Sequence, residues 1–267
     1  MLARVVVGSW VAIACSISAA SPAPGVGKPS RLPVIPDSTT SQLGAVRFAI
    51  AADLAGWKLQ RFTAKLPPEL ACLHDLVPSL GSVVVTSGDS WQAMVTGMPE
   101  AATRACLAKV APVLGFAISD RTGGDYELQI QNNPVKLAWQ EKMLVITQIG
   151  HPQTAGDPPE EIVALLGRVP RAAKAWLVSS GSPTFKLKSA VGWLEVRDGR
   201  AILTFTAEGT EADPPGPMVA GMIAGMRDQA TKRGLKVEDS WFVTTSTKTT
   251  TKLVATLPTA KGGMFGF

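Results

Sequence analysis

Tyrosine occurs once in this chain of 267 residues, histidine twice and cysteine three times. Each scarcity closes a class of function. With a single Tyr, and with Lys and Arg scattered rather than striped, no basic face interleaved with aromatics is available. The net charge of +5 therefore does not signal nucleic acid. His74 and His151 are far apart and read as a surface and a loop histidine rather than as ligands, so no metal and no cofactor is expected. The sequence holds no Gly-x-Ser-x-Gly elbow, no His-Glu-x-x-His helix and no Walker A loop. After the first twenty residues no stretch is long and apolar enough to form a membrane-crossing helix.

What the chain does have is enough apolar material for a core, 46% against 18% charged, and an informative beginning. Arg4 precedes a brief apolar run, Val5 to Ala14, which reads as a secretory signal too short for a permanent span. Two cleavage readings are open. Ala12-Ile13-Ala14-Cys15 resembles a bacterial lipobox, departing from it at Ala12 where Leu is preferred; the resemblance implies a lipidated Cys15 and removal of 1–14. Ser16 after it implies, on the same resemblance, the outer membrane of a Gram-negative cell. Alternatively Ser18-Ala19-Ala20 serves ordinary signal peptidase, and the mature chain starts near Ser21 in the periplasm or outside the cell. Residues 21–43, rich in Pro, Ser and Ala, cannot bury enough surface to offset their ordering entropy and are expected to form a disordered tether.

Either cleavage leaves Cys72 and Cys106 as the remaining thiols. In an oxidising compartment they are expected to form one disulfide, worth roughly 3 to 4 kcal/mol by loop closure; two buried free thiols are the alternative.

Periodicity suggests two similar halves, 44–150 and 151–258, followed by a flexible tail at 259–267. The first half reads as a strand (45–52), helical material (54–66), a short helix (68–77), a strand pair (82–86 and 91–96), a helix (99–113) and strands at 126–131, 135–139 and 143–149, with a turn at Asn132-Asn133-Pro134. A helix follows, with Asp157 as N-cap and Glu160 completing a capping box. The second half reads as a strand (175–179), a hairpin (191–197 and 200–207) turning on Asp198-Gly199, a helix (217–232) and strands at 237–245 and 250–257. Trp139 and Trp241 fall at similar places in the two halves. Dominant hairpins predict an α+β fold: antiparallel sheets with helices packed on one face and an internal duplication. The pattern, with a strand such as Val46-Arg47-Phe48-Ala49-Ile50-Ala51-Ala52-Asp53 opening each repeat, resembles uncharacterised envelope proteins of Gram-negative bacteria, some of them lipoproteins. That resemblance implies an address and no activity.

Gly88-Asp89-Ser90 after a strand resembles the first block of GDSL-type esterases, which implies Ser90 as a nucleophile. A nucleophilic Ser needs an oriented base. His74 and His151 lack the family's Asp three residues earlier, its Gly-x-Asn-Asp block is missing, and a hairpin turn accounts for the tripeptide. Asp157, Glu160 and Glu161 read as helix-start charges; Asp125 and Glu127 alternate on a strand and read as a solvated face, with a glycosidase-like carboxylate pair as the alternative.

Met218, Met222 and Met226 form a stripe beside Gly221 and Gly225, expected to lie against the sheet with the glycines permitting close approach. The Thr-rich run 244–252 reads as an exposed strand pair whose lysines discourage edge pairing. The aromatic-ended tail Gly262 to Phe267 has no barrel pattern behind it.

The resulting expectation is a secreted or lipid-anchored envelope protein that binds rather than catalyses. Its partner would be an envelope protein, a lipid or a glycan, with membrane contact through an acylated Cys15. A secreted hydrolase using Ser90 is the alternative.

Overall fold

The computed structural model describes residues 46–55, 66–88, 90–113, 117–120, 126–130, 133–140, 142–150, 157–182, 186–232, 234 and 236–259. The expected signal and tether, residues 56–65 of the helical segment expected over 54–66 and residues 260–267 of the tail, with Cys15, His151, Asp125 and Asp89, lie outside them.

The twelve strands among the described residues join one antiparallel sheet. In chain order they are β1 (Phe48–Asp53), β2 (Ser82–Ser87), β3 (Trp91–Thr96), β4 (Ala117–Asp120), β5 (Tyr126–Ile130), β6 (Asn133–Gln140), β7 (Met143–Gln148), β8 (Ala175–Ser179), β9 (Ser189–Arg197), β10 (Arg200–Glu208), β11 (Phe242–Ser246) and β12 (Thr250–Pro258). Their spatial order is β11-β12-β10-β9-β8-β1-β2-β3-β7-β6-β5-β4. Among the described residues there are four α-helices: α1 (Ala71–Leu76), α2 (Glu100–Val113), α3 (Glu160–Leu166) and α4 (Gly216–Lys232).

The β1–β8 pairing at the middle, Ala52 opposite Ala175 and Phe48 opposite Ser179, fuses the halves. In each half the hairpin's outer strand, β3 or β10, pairs with that half's last strand, β7 or β12. The halves are unequal, however: the first adds β4 and β5 at its rim.

The expected α+β arrangement with helices on one face is corrected by the strand parity. One face carries Ala52, Val83, Leu194, Ala201, Phe205, Leu253, Ala255 and Leu257 and receives α4 through Val219, Met226 and Ala230. The same face continues through Leu128, Val135, Leu137 and Leu144, where Leu107 of α2 packs. The opposite face carries Ala49, Ala51, Val84, Met94, Val145, Trp176 and Val178 and receives α3 through Ile162 and Leu165, then Val169 and Ala173. Successive side chains of a strand point to opposite faces, so a central strand buried on both must be apolar at both parities. β1 meets that requirement with alanines: Ala49 and Ala51 are 0% exposed on one face and Ala52 is 5% exposed on the other. Ala51 stands opposite Trp176, whose indole the small neighbour accommodates.

Local signals explain most boundaries. Asp198 and Gly199 both have positive φ, 51° and 68°, as a two-residue turn between twisted strands requires. Asp157 is not the cap of α3. Pro159 occupies the N-cap position and no side chain caps it, while the Ile162 amide donates to the Pro159 carbonyl at 2.9 Å. The strand expected over 237–245 is shortened to β11 because Asp239–Trp241 form a 3-10 turn.

Candidate interaction surface

A single hydrogen-bonding row crosses ten strands and sets the frame. Outward from Ala52–Ala175 it runs through Val83, Val95, Leu144 and Trp139 on one side. On the other it runs through Leu194, Leu203, Ala255 and Phe242. The counterpart of Trp139 is thus Phe242, next to the expected Trp241. Each end is clamped by an arginine from the long helix above it. The Arg104 guanidinium of α2 lies 4.5 Å from the Trp139 ring centre and 4.3 Å from that of Tyr126. Arg227 of α4 lies 5.3 Å from that of Phe242. Each arginine also holds a carboxylate at 2.8 Å, Glu100 for Arg104 and Asp239 for Arg227. Burial works to lower the Arg104 pKa; hydrogen bonds to Tyr126 and Glu100, with their charges, outweigh it and raise the value. Cation–π attraction fixes both helices to the sheet, and the Arg227–Asp239 pair ties α4 to the turn before β11, whereas Arg104–Glu100 is a pair within α2. No sequence motif announces them; only the register brings Arg and ring together.

Cys72 and Cys106 are bonded, with Cα atoms 5.5 Å apart. The bridge ties α1 to α2 beside Leu76 and Val110, and Cys106 is only 2% exposed.

Ser90 lies in the tight connection between β2 and β3, where the Gly88 amide donates to the Ser90 carbonyl at 2.9 Å. His74 belongs to α1, which leads into the Ser82 end of β2, whereas Ser90 follows its Ser87 end. Six extended residues, about 20 Å, separate those ends. The structure does not bring Ser90 and His74 together. Asp157, Glu160 and Glu161 stand exposed around the start of α3. Glu127 faces Lys136 across β5 and β6, an opposite-charge pair. Among the described residues no three His, Cys, Asp or Glu side chains gather as a metal site.

The methionine stripe of α4 does face the core: Met226 is buried, and Met218 and Met222 pack half-buried against it. The glycines do not serve close approach. A Cβ placed on Gly221 or Gly225 would meet nothing within 4 Å, so this seam points away from the sheet.

The Thr-rich run forms the rim. β11 is the edge strand, and Val243, Thr244, Thr245 and Ser246 are all exposed, Val243 at 59%. The lysines expected to protect this edge stand elsewhere, Lys248 in the β11–β12 turn and Lys252 on β12. A strand edge offers main-chain donors and acceptors to any strand that docks there. Among the described residues it is the feature best formed for binding.

No family model matches the chain, and no curated protein matches it. Solved structures of a protein called TP0453 align with it at low identity. Crystal form III aligns with TM-score 0.47 and 9% identity, over 82% of this chain and 94% of that one. Crystal form IV aligns with TM-score 0.46 and 10% identity, over 63% and 79%. Likeness at this level assigns neither fold nor function to this chain. No helix among the described residues is long and apolar enough to cross a membrane.

Proposed function

We propose that this chain is an exported cell-envelope protein that acts by binding, through the rim of its sheet, rather than by catalysis. The exposed, uncharged edge strand β11 carries the reading. It presents main-chain hydrogen-bonding groups while the interior of the sheet is filled with packed apolar side chains. The Cys72–Cys106 bridge supports export, since such bonds persist in oxidising compartments. The separation of Ser90 from His74 argues against the esterase resemblance. Cys15 as the acylated first residue, anchoring the domain to the outer membrane, completes the proposal.

Fractionation of cells expressing the full chain tests it. The protein is expected in the envelope fraction, with mass spectrometry showing a mature chain that begins at an acylated Cys15. An unmodified start at Ser21 would remove the anchor. Recovery from the cytoplasm, or an ester hydrolysis that disappears in Ser90→Ala, would remove the function.

A further inference from the structure

We infer that the partner of β11 is β11 of a second copy, paired antiparallel about a two-fold axis at Thr244. This rests on the reading of the rim as the binding surface. Three observations carry it.

The first is the character of the strand. Natural edges are blunted by charge, proline, bulges or brevity. Phe242-Val243-Thr244-Thr245-Ser246 has no charge and no proline, and pairs with β12 without a bulge, five residues in unbroken register. The opposite edge, β4, has four residues and ends in Asp120.

The second is hydrogen-bond parity. The turn closes with the Thr247 amide donating to the Thr250 carbonyl at 2.8 Å. In an antiparallel ladder the bonded positions alternate, so Thr245 and Val243 bond inward to β12. Thr244 and Ser246 therefore direct their N–H and C=O groups outward, as does the Phe242 carbonyl; the Phe242 amide donates to Asp239 O. A two-fold at Thr244 lets the two Thr244 residues exchange a pair of bonds. Each Ser246 amide then donates to Phe242 O of the second copy. Four main-chain bonds form without moving β12.

The third is charge. The strand is preceded by Glu238-Asp239 and followed by Lys248. The Asp239 and Lys248 side chains are 90% and 80% exposed, each with an in-chain neighbour, Arg227 and Glu211. An acidic start and a basic end are self-complementary only in antiparallel pairing. The stated axis sets Lys248 opposite Ser240 of the second copy, beside its Asp239. It also sets exposed Val243 beside Thr245 of the second copy.

One short strand per copy makes a small interface, so association should depend on concentration. Sedimentation velocity of the mature chain, from about 1 to about 200 µM, is the test. The expected result is a rise toward twice the monomer mass. Thr244→Pro removes an outward amide that β12 does not use, and should leave the circular dichroism unchanged and the protein monomeric. Lys248→Asp and Asp239→Lys should each weaken association about 2- to 10-fold, and together restore it to within about 2-fold. A monomer throughout, a dimer indifferent to Thr244→Pro, or charge swaps without mutual rescue would overturn self-pairing. Such a failure leaves the proposed export untouched, since fractionation reads that separately.

Discussion

At the residue scale, glycines divide by what surrounds them. Gly97 has φ of 83°, and a Cβ there would run into the Ser79 carbonyl and the Gly81 amide. Gly97→Ala should destabilise the protein by at least about 2 kcal/mol in urea unfolding, because both backbone conformation and space forbid a side chain. Gly221 and Gly225 are the opposite case, exposed positions inside α4 with open space around them. Replacing either by Ala should stabilise by about 0.5 to 1 kcal/mol through helix propensity. A loss of stability there would show that the seam is packed against something after all. Lys186 shows how little an exposed pair adds. Its hydrogen bond to Asp213, 2.8 Å, raises the lysine pKa, aided by the carboxylate charge. A raised basic group contributes below its unfolded pKa and loses that contribution only as pH climbs past its folded value. Lys186→Ala should therefore leave the pH dependence of stability unchanged between about pH 5 and 9.

At the scale of elements, the disulfide and the arginine clamps do related work on α2. The bridge pins its Cys106 to α1, and Arg104 holds its first turns over Tyr126 and Trp139. The oxidised protein should exceed a Cys72→Ala/Cys106→Ala variant by about 3 to 4 kcal/mol in denaturant unfolding. Equal midpoints would show that the bridge constrains nothing in the unfolded chain. Elements with strong local chemistry were readable from sequence: the Asp198-Gly199 hairpin, the pair β2–β3, the long helices and the cysteine pair. Elements set by tertiary context were not. β4 is four residues long, too short to show a periodicity, and β11 is shorter than the expected 237–245 because the turn at Asp239–Trp241 has no sharp signal in sequence. Asp157 and Glu160 match a capping box, yet Pro159 holds the N-cap position.

At the scale of the whole molecule, the single sheet is closed by its longest-range pairing, β1 meeting β8. Hairpins form from neighbours in sequence, but this pairing joins residues more than a hundred positions apart, and periodicity is silent on such contacts. The clue was there in β1, whose alanines occupy both parities, as a strand buried on two faces requires. That two-sided burial places α3 opposite α2 and α4, where sequence pattern had put all helices together. The rim is legible in composition, a run of Thr, but its exposure is not. Which strand of a hairpin lies outermost is settled by β10 taking β12 as its neighbour.

Binding at this rim in the envelope is open to photocrosslinking in living cells. A benzophenone side chain at Val243 is compared with one at Val163 on α3, which is more than half exposed as well. A crosslinked product of twice the chain's mass is expected from Val243 in the envelope fraction, and none from Val163. No product from Val243, or equal products from both positions, would contradict it.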